Sequence, residues 1–385
     1  MHKSTLYLLV VFLISLACNQ REQTTRLTDD FPVKLGKNHI LDTFALKIKE
    51  HYLLPAVAIG VINNDGSIQT SVVGNNKAKN GVALTKKSKF QIASCTKSFT
   101  ALLVGVYVDK GLLNWNTKVI DVFPNLVIHP DNRKITMMEL LNHTSGLQQF
   151  WTDEEVFGLD SILPRLSGDI KEQRLKFSEW NLSQPSAFTR GEHHYSNAGY
   201  VVAAAILEKI TGQTYEALVK EQLLLPMQLH TAEFGYSFLN NSKQPNRHMY
   251  RYPDGLGITL GADERIPPDL FNPCGFLSLS IEDFTKYLRL NIEMLDEDSE
   301  LISKNTFKNL FKNYHSLLNG IGVGLGWQII EVGGIKTYGH TGSDQTMRAA
   351  MSINLKQRKG VVFATNIGDY RSEQALVNVI HELIK

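Results

Sequence analysis

The predicted strands of this chain fall into two groups at opposite ends of the sequence. Apolar and alternating runs, bounded by turn residues, predict strands at 56–62 and 68–73, and four more at 325–332, 335–339, 349–355 and 360–365. An isolated two-stranded hairpin is not stable in water. We therefore expect the two groups to meet in one antiparallel sheet.

Helical patterns fill the rest of the chain. Apolar residues recur at helical spacing in 39–52 and 373–384, and a helix- and loop-rich region occupies about 94–316. These elements predict an α/β fold of the α+β type. Its antiparallel sheet comes from both chain termini and is flanked by the terminal helices, and a helical lobe is inserted across a cleft.

Composition excludes several functions. The chain has 385 residues, with 40 basic and 38 acidic side chains and a formal net charge of +2. No block of Lys and Arg stands out, and neither zinc-finger nor P-loop spacing is present, so we expect no nucleic-acid partner. No Cys/His arrangement has metal-ligand spacing, so we expect neither a metal site nor a cofactor.

The N-terminal residues are typical of an exported protein. A basic start precedes an apolar run at 6–17, which is too short to span a bilayer and fits a signal peptide. The run ends in Ser15-Leu16-Ala17-Cys18, which resembles the lipobox of bacterial lipoproteins, although Ser15 stands where those usually have Leu. The resemblance implies that Cys18 is lipidated. A plain signal peptide cleaved nearby is the alternative.

Both interpretations place the protein outside the cytoplasm, in the bacterial cell envelope (the periplasm). If the lipobox resemblance holds, a lipid on Cys18 is its membrane contact. We divide the chain into a signal peptide at 1–18, a polar tether at 19–36 and a folded domain at 37–385. The other two cysteines, Cys95 and Cys274, either pair in the oxidising compartment or remain two buried thiols.

Three short motifs carry residue types suited to chemistry, and each occurs once. The first is Ser94-Cys95-Thr96-Lys97, an S-x-x-K. About one such match is expected by chance in a chain of this length. Here Ser94 precedes an apolar helix, so Lys97 returns to the same face one turn later. A lysine buried there could accept the serine proton, whereas a helix cap and a solvated lysine are the alternative.

The other two motifs lie far along the chain. Tyr195-Ser196-Asn197 stands directly before a predicted helix, where Asn197 could also be a helix cap. His340-Thr341-Gly342 ends a predicted strand, whose glycine would allow close approach of a ligand. The two predicted lobes could bring all three motifs to one cleft.

This constellation resembles the superfamily of serine β-lactamases and penicillin-recognising DD-peptidases, on its class C, esterase and D-Ala-D-Ala carboxypeptidase side. Further family-like stretches are Leu140 to Leu147, Gly322 to Trp327 and Gly339 to Ser343. The resemblance implies a β-lactamase/transpeptidase-like fold and an acyl-enzyme on Ser94. Lys97 and Tyr195 would then move the proton.

The resemblance also implies how a substrate would be bound. Asn197, His340, Thr341, Gly342 and Ser343 would contact it, and the oxyanion hole would be the backbone N–H groups of Ser94 and Ser343. We expect a small-molecule or peptide substrate, including peptidoglycan-derived peptides, and a monomer.

One departure from the family pattern affects the expected activity. Many family β-lactamases have Lys-Thr-Gly where this chain has His340-Thr341-Gly342. A histidine is mostly neutral near pH 7 and lacks the steady charge that attracts a carboxylate. The departure favours an esterase or peptidase over a class C-like β-lactamase. A catalytically silent peptidoglycan-binding lipoprotein is the alternative of another class.

Two neighbouring residues are interpreted as structural. Arg348 could bind a carboxylate, but we interpret it as a solvated strand arginine. His143 comes after a predicted helix at 135–142, with Gly146 as the expected C-cap.

The lipobox-like sequence generates a test in a bacterial host. Metabolic labelling with an alkyne fatty acid should label the wild-type protein, and Cys18→Ser should lose the label because it removes the only thiol at the predicted cleavage site. Equal labelling of both proteins would show that Cys18 is not the anchor.

Overall fold

The computed structural model describes residues 31–35, 40–150, 162–251, 256–260, 268–317, 320–332 and 334–385. The predicted signal peptide, Cys18 and most of the tether lie outside these residues. Among the described residues, no helix is both long and apolar enough to cross a bilayer.

Helices dominate the middle of the chain. The α-helices of the described residues are α1 (Leu41–His51), α2 (Thr96–Asp109), α3 (Val119–Val122), α4 (Met137–Leu141), α5 (Ile170–Ser183), α6 (Asn197–Thr211), α7 (Tyr215–Val219), α8 (Ser237–Asn240), α9 (Asn272–Gly275), α10 (Ile281–Met294), α11 (Lys304–Lys308) and α12 (Tyr370–Leu383). Short 3₁₀ turns include Ala93–Cys95 and Asp269–Phe271.

Strands come mainly from the two ends. They are β1 (Ala56–Ile62), β2 (Ile68–Gly74), β3 (Lys89–Gln91), β4 (Glu233–Phe234), β5 (His248–Arg251), β6 (Leu256–Thr259), β7 (Leu277–Ser280), β8 (His315–Ser316), β9 (Gly322–Val323), β10 (Gln328–Val332), β11 (Ile335–Ser343), β12 (Arg348–Asn354) and β13 (Lys359–Thr365). The large sheet has the order β2-β1-β13-β12-β11-β10-β9-β8.

The two groups of strands meet where β1 pairs with β13. The pairing is antiparallel, from Val57 opposite Thr365 to Ile62 opposite Gly360. β11 lies two strands further along, paired with β12, also antiparallel. The prediction of one antiparallel sheet from both termini, flanked by helices, is confirmed.

Strand β1 is buried on both faces, and its alternate residues face different layers. Val57, Ile59 and Val61 pack in one apolar cluster with α1 and α12. Ala58 and its same-face neighbours belong to the larger cluster that includes α2, α6 and α10. The sheet is therefore covered by the terminal helices on one side and by the helical lobe on the other.

The chain joins the domain earlier than the predicted boundary at position 37. Phe31 and Val33 are buried. The backbone of Val33 exchanges two hydrogen bonds with Asn378 of α12, at 3.3 and 2.8 Å. The predicted tether at 19–36 is thus wrong for residues 31–35, because this stretch has buried apolar side chains and its backbone is hydrogen-bonded to α12.

The main difference in element bounds concerns β11. The sequence predicted a strand at 335–339, whereas β11 continues to Ser343. Pairing with β12 holds the glycine-containing end of the strand, although glycine has a low intrinsic strand preference. The whole His-Thr-Gly-Ser sequence is therefore strand.

The contact between β1 and α10 can be tested at Gly60. A Cβ added there would lie 1.8 Å from Thr285 Oγ1 and 2.7 Å from Val362 Cγ2. We expect Gly60→Ala to lower the free energy of unfolding by about 2 kcal/mol through overpacking. In urea titrations, Thr285→Ala should recover part of that loss when combined with Gly60→Ala. Strictly additive effects of the two substitutions would contradict this packing.

Candidate active site

Ser94 lies in a tight turn between β3 and α2. The preceding residue, Ala93, has a φ of 44°, in the left-handed region that non-glycine residues rarely adopt. The side chain of Gln91 holds this turn, because its Oε1 accepts from the Ala93 N–H at 3.0 Å and its Nε2 donates to the Gly275 carbonyl at 2.8 Å. The partly exposed Ser94 is thus placed by a strained backbone.

Lys97 is completely buried one turn along from Ser94. Its Nζ lies 3.2 Å from Ser94 Oγ and donates to the Cys274 carbonyl at 2.6 Å. The ring centroids of Tyr195 and Tyr200 lie 4.8 and 5.4 Å from the same nitrogen. The alternative of a solvated surface lysine is therefore wrong.

Tyr195 is held by its neighbours at the start of α6. Ser196, not Asn197, caps this helix: its Oγ accepts from the Gly199 N–H at 3.2 Å. Asn197 is the first helical residue, and its Nδ2 donates to the Phe150 carbonyl at 2.5 Å. Its Oδ1 is buried and has no hydrogen-bond partner among the described residues. Asn197 therefore offers an acceptor near Tyr195.

His143, which was predicted to be structural, also contacts Tyr195. Its ring centroid lies 4.2 Å from that of Tyr195, and its Nδ1 accepts from the Ser196 N–H at 3.0 Å. Burial is the main cause that lowers the pKa of His143 well below its usual value. Helix α4 is capped at Asn142 rather than at Gly146. No sequence pattern signals this contact between distant segments.

The end of β11 passes directly against the Ser94 turn. A Cβ added to Gly342 would lie 2.4 Å from the Ile92 carbonyl oxygen and 2.7 Å from the Ser94 nitrogen. Only glycine permits this approach. Thr341 and Ser343 flank Gly342 in the same strand, half-buried and exposed respectively. The structure thus brings the S-x-x-K turn and the predicted His-Thr-Gly strand together.

His340 is buried beside Tyr195, with their ring centroids 6.4 Å apart. Burial, with the charge of Lys97 second, lowers the pKa of His340 to about 3. The ring is therefore neutral at pH 7. Its Nδ1 lies 2.6 Å from the Thr341 carbonyl, which can only accept, so Nδ1 carries the proton and Nε2 is an acceptor.

A small enclosed cavity adjoins these rings. The residues that line it are His143, His193, Tyr195, Leu317, Ile321, Val323, Gly324, Gly326, Trp327, Gln328 and His340. The pKa of His193 is lowered to about 4, mainly by burial and then by the nearby charges of His315 and His194. No carboxylate or ammonium group is among these lining residues. A larger open groove between α1 and α10 contains no member of the predicted site.

Several other side chains near the motifs are structural. Arg348 is buried rather than solvated: its guanidinium donates to Ser372 Oγ at 2.8 Å and to the Gly368 carbonyl at 2.9 Å, because the start of β12 is covered by α12. Cys95 and Cys274 are free, buried thiols. In the described part of the chain, no group of three or more His, Cys, Asp or Glu residues is placed to hold a metal.

Comparison with known proteins shows the family of the chain. The sequence profile described as Beta-lactamase matches residues 41–382, so the chain belongs to the β-lactamase family. It is 25% identical over 318 residues to penicillin-binding protein 4 of Amycolatopsis lactamdurans, covering 78% of this chain and 77% of that protein. It is 24% identical to protein flp of Staphylococcus aureus (strain N315), but spans only 64% of that protein's length.

Solved structures show the same fold. An octameric penicillin-binding protein homologue from Pyrococcus abyssi superposes with a TM-score of 0.74 at 24% identity, covering 90% of this chain and 77% of that one. A D-stereospecific amidohydrolase from Streptomyces sp. superposes with a TM-score of 0.65 at 20% identity. The match covers 87% of this chain and 96% of the amidohydrolase chain. The family and fold predicted from the motifs are thereby confirmed.

The depressed pKa of His193 predicts a stability change with pH. The unfolded chain gains a proton on this residue near pH 6.5, whereas the folded protein gains it only near pH 4. Stability should therefore fall as the pH drops from 6.5 to 4, by about 3 kcal/mol at most from this residue. In urea titrations, His193→Gln should reduce that fall, whereas His230→Gln, at an exposed histidine, should not. Identical pH profiles for wild type and His193→Gln would contradict the assignment.

Proposed function

We propose that this chain is an exported, membrane-tethered serine hydrolase that forms a covalent acyl-enzyme on Ser94 with an ester or amide substrate. The observation that carries the proposal is the contact between the buried Lys97 Nζ and Ser94 Oγ at 3.2 Å. A nucleophile within hydrogen-bond reach of a buried base is the arrangement that covalent catalysis requires.

The reaction follows from this contact in two steps. Ser94 Oγ attacks the substrate carbonyl carbon while its proton passes to the Lys97 amine, and the Lys97–Tyr195 pair returns a proton to the departing alcohol or amine. Water then attacks the acyl-serine ester. It releases the acid and restores the Ser94 hydroxyl through the same groups in reverse.

Two backbone N–H groups would stabilise the tetrahedral intermediates, those of Ser94 and Ser343. The proposal is supported by the approach of β11 to the Ser94 turn, where a Cβ on Gly342 would lie 2.7 Å from the Ser94 nitrogen. The unpaired, buried Oδ1 of Asn197 would accept a hydrogen bond from the N–H of a substrate amide.

The charge state of the cavity favours neutral substrates. His340 stands where many relatives have lysine, and burial and Lys97 hold its pKa near 3. A charge-assisted hydrogen bond is stronger than a neutral one by about 1 kcal/mol. That difference changes a binding constant about five- to tenfold. We therefore propose small acyl esters or peptide amides as substrates, with slow turnover of carboxylate-bearing β-lactams. A peptidoglycan-derived D-Ala peptide is the natural candidate for an envelope protein.

The nucleophile is tested by Ser94→Ala. Wild type should hydrolyse p-nitrophenyl butyrate and gain one fluorophosphonate adduct by intact-mass spectrometry, since both require an activated serine. Ser94→Ala should lose the adduct and at least about 10³-fold in kcat. Nitrocefin, measured beside the ester, should be hydrolysed more slowly.

Ser98→Ala, at the next serine along the chain, in the first turn of α2, is the matched control and should retain the adduct. An adduct that persists in Ser94→Ala would refute the nucleophile assignment. Efficient nitrocefin hydrolysis without ester hydrolysis would favour the class C-like β-lactamase, and no adduct on wild type would favour the silent binding protein.

A further inference from the structure

The carbonyl that accepts from Lys97 belongs to a short segment, residues 269–275. This segment consists of one 3₁₀ turn, Asp269–Phe271, and the single helical turn α9. So short a helical piece has few internal hydrogen bonds with which to fix its own position. The position of the Cys274 carbonyl, and with it that of Lys97 Nζ, must therefore be determined by contacts from outside the segment.

One set of contacts comes from Arg174 of α5. Its side chain is fully buried, and its Nε and Nη2 donate to the carbonyls of Leu270 and Asp269, both at 3.3 Å. The guanidinium also pairs with two carboxylates, Glu208 at 2.5 Å and Glu216. Burial alone would lower the pKa of Arg174, but Glu216 and Glu208 outweigh it and raise that pKa. The cation is therefore permanent.

A second contact extends the network to the segment's own side chain. Glu216 Oε1 accepts from Asn272 Nδ2 at 2.8 Å. Asn272 is 4% exposed, and it immediately precedes Pro273 and Cys274. Glu216 thus connects Arg174 to Asn272, two positions before Cys274, whose carbonyl accepts from Lys97.

A third contact comes from the helix of Lys97 itself. Thr100, one turn after Lys97 on α2, donates to the Pro273 carbonyl at 2.6 Å, and its Oγ1 lies 2.7 Å from Tyr215 Oη. Lys97 and Thr100 therefore reach two consecutive carbonyls of the segment. The segment is held from α5, α7 and α2 at once.

We propose that Arg174, Glu216 and Asn272 are positioning residues for the proton-transfer step: they hold the Cys274 carbonyl where it keeps Lys97 Nζ against Ser94 Oγ. This inference rests on the proposed function. A purely stabilising role is the weaker explanation of this network, because a buried ion pair contributes little net stability. Here the bonds end on the backbone and side chain of the segment that meets Lys97.

Asn272→Ala tests the proposal because it removes the bond to Glu216 and leaves the Arg174 ion pairs in place. Displacement of a catalytic group slows chemistry more than it weakens substrate binding. We expect kcat for p-nitrophenyl butyrate to fall about tenfold, with KM within about twofold of wild type. The rate of Ser94 labelling at saturating fluorophosphonate should fall in parallel.

Asn291→Ala is the matched control. Asn291 is also buried and donates to the Tyr287 carbonyl of its own helix. Like that of Asn272, its Oδ1 has no hydrogen-bond partner in the described part of the chain. It should lose stability while kcat stays within about twofold. Should Asn272→Ala not fold, Thr100→Val removes the bond to Pro273 and is expected to lower kcat in the same way.

The outcomes separate the two claims. If wild type forms the Ser94 adduct but Asn272→Ala and Thr100→Val keep the wild-type kcat, the positioning role is refuted and the serine hydrolase stands. Equal losses of kcat in Asn272→Ala and Asn291→Ala, in proportion to their loss of Tm, also refute it. No Ser94 adduct on wild type would overturn both.

Discussion

Strands β1 and β13 pair along six residues each, and this contact joins chain segments about 300 residues apart. Closing so long a loop is entropically costly, but the cost grows only with the logarithm of loop length. Burial of β1 on both faces opposes that cost, because each side chain of the strand leaves water. β13 then positions β12, and β12 positions β11. The approach of Gly342 to the Ser94 turn is a consequence of that order.

The helical lobe supplies the other half of the site through a similar constraint. Helix α2 is buried along nearly its whole length, so its first turn cannot be solvated. Lys97 consequently enters the interior, where an amine needs hydrogen-bond partners. The structure supplies a hydroxyl from Ser94, a carbonyl from Cys274 and the face of Tyr195. Three elements from different parts of the chain meet at one nitrogen.

Sequence patterns predicted the elements more completely than the contacts between them. Strand β1 has the bounds that its apolar run predicted, 56–62, because the whole run is buried. The spacing of the S-x-x-K motif predicted that Ser94 and Lys97 lie on one face, because helical geometry brings residues three apart to the same side. The contact of Lys97 with the Cys274 carbonyl could not be predicted, because every residue has a backbone carbonyl and no side-chain type marks this one. The burial of Arg348 and His143 depends on elements packed from elsewhere in the chain.

The charge on Lys97 extends the influence of this one residue to the cavity. Within the described residues, no carboxylate forms an ion pair with it, so its field is not cancelled locally when it is protonated. After burial, that field is a further cause of the lowered pKa values of His340 and His143. Both imidazoles therefore stay neutral and present their nitrogens as hydrogen-bonding groups rather than as cations. Burial, with a smaller contribution from the field of Lys97, thus leaves the neighbouring wall of the cavity uncharged.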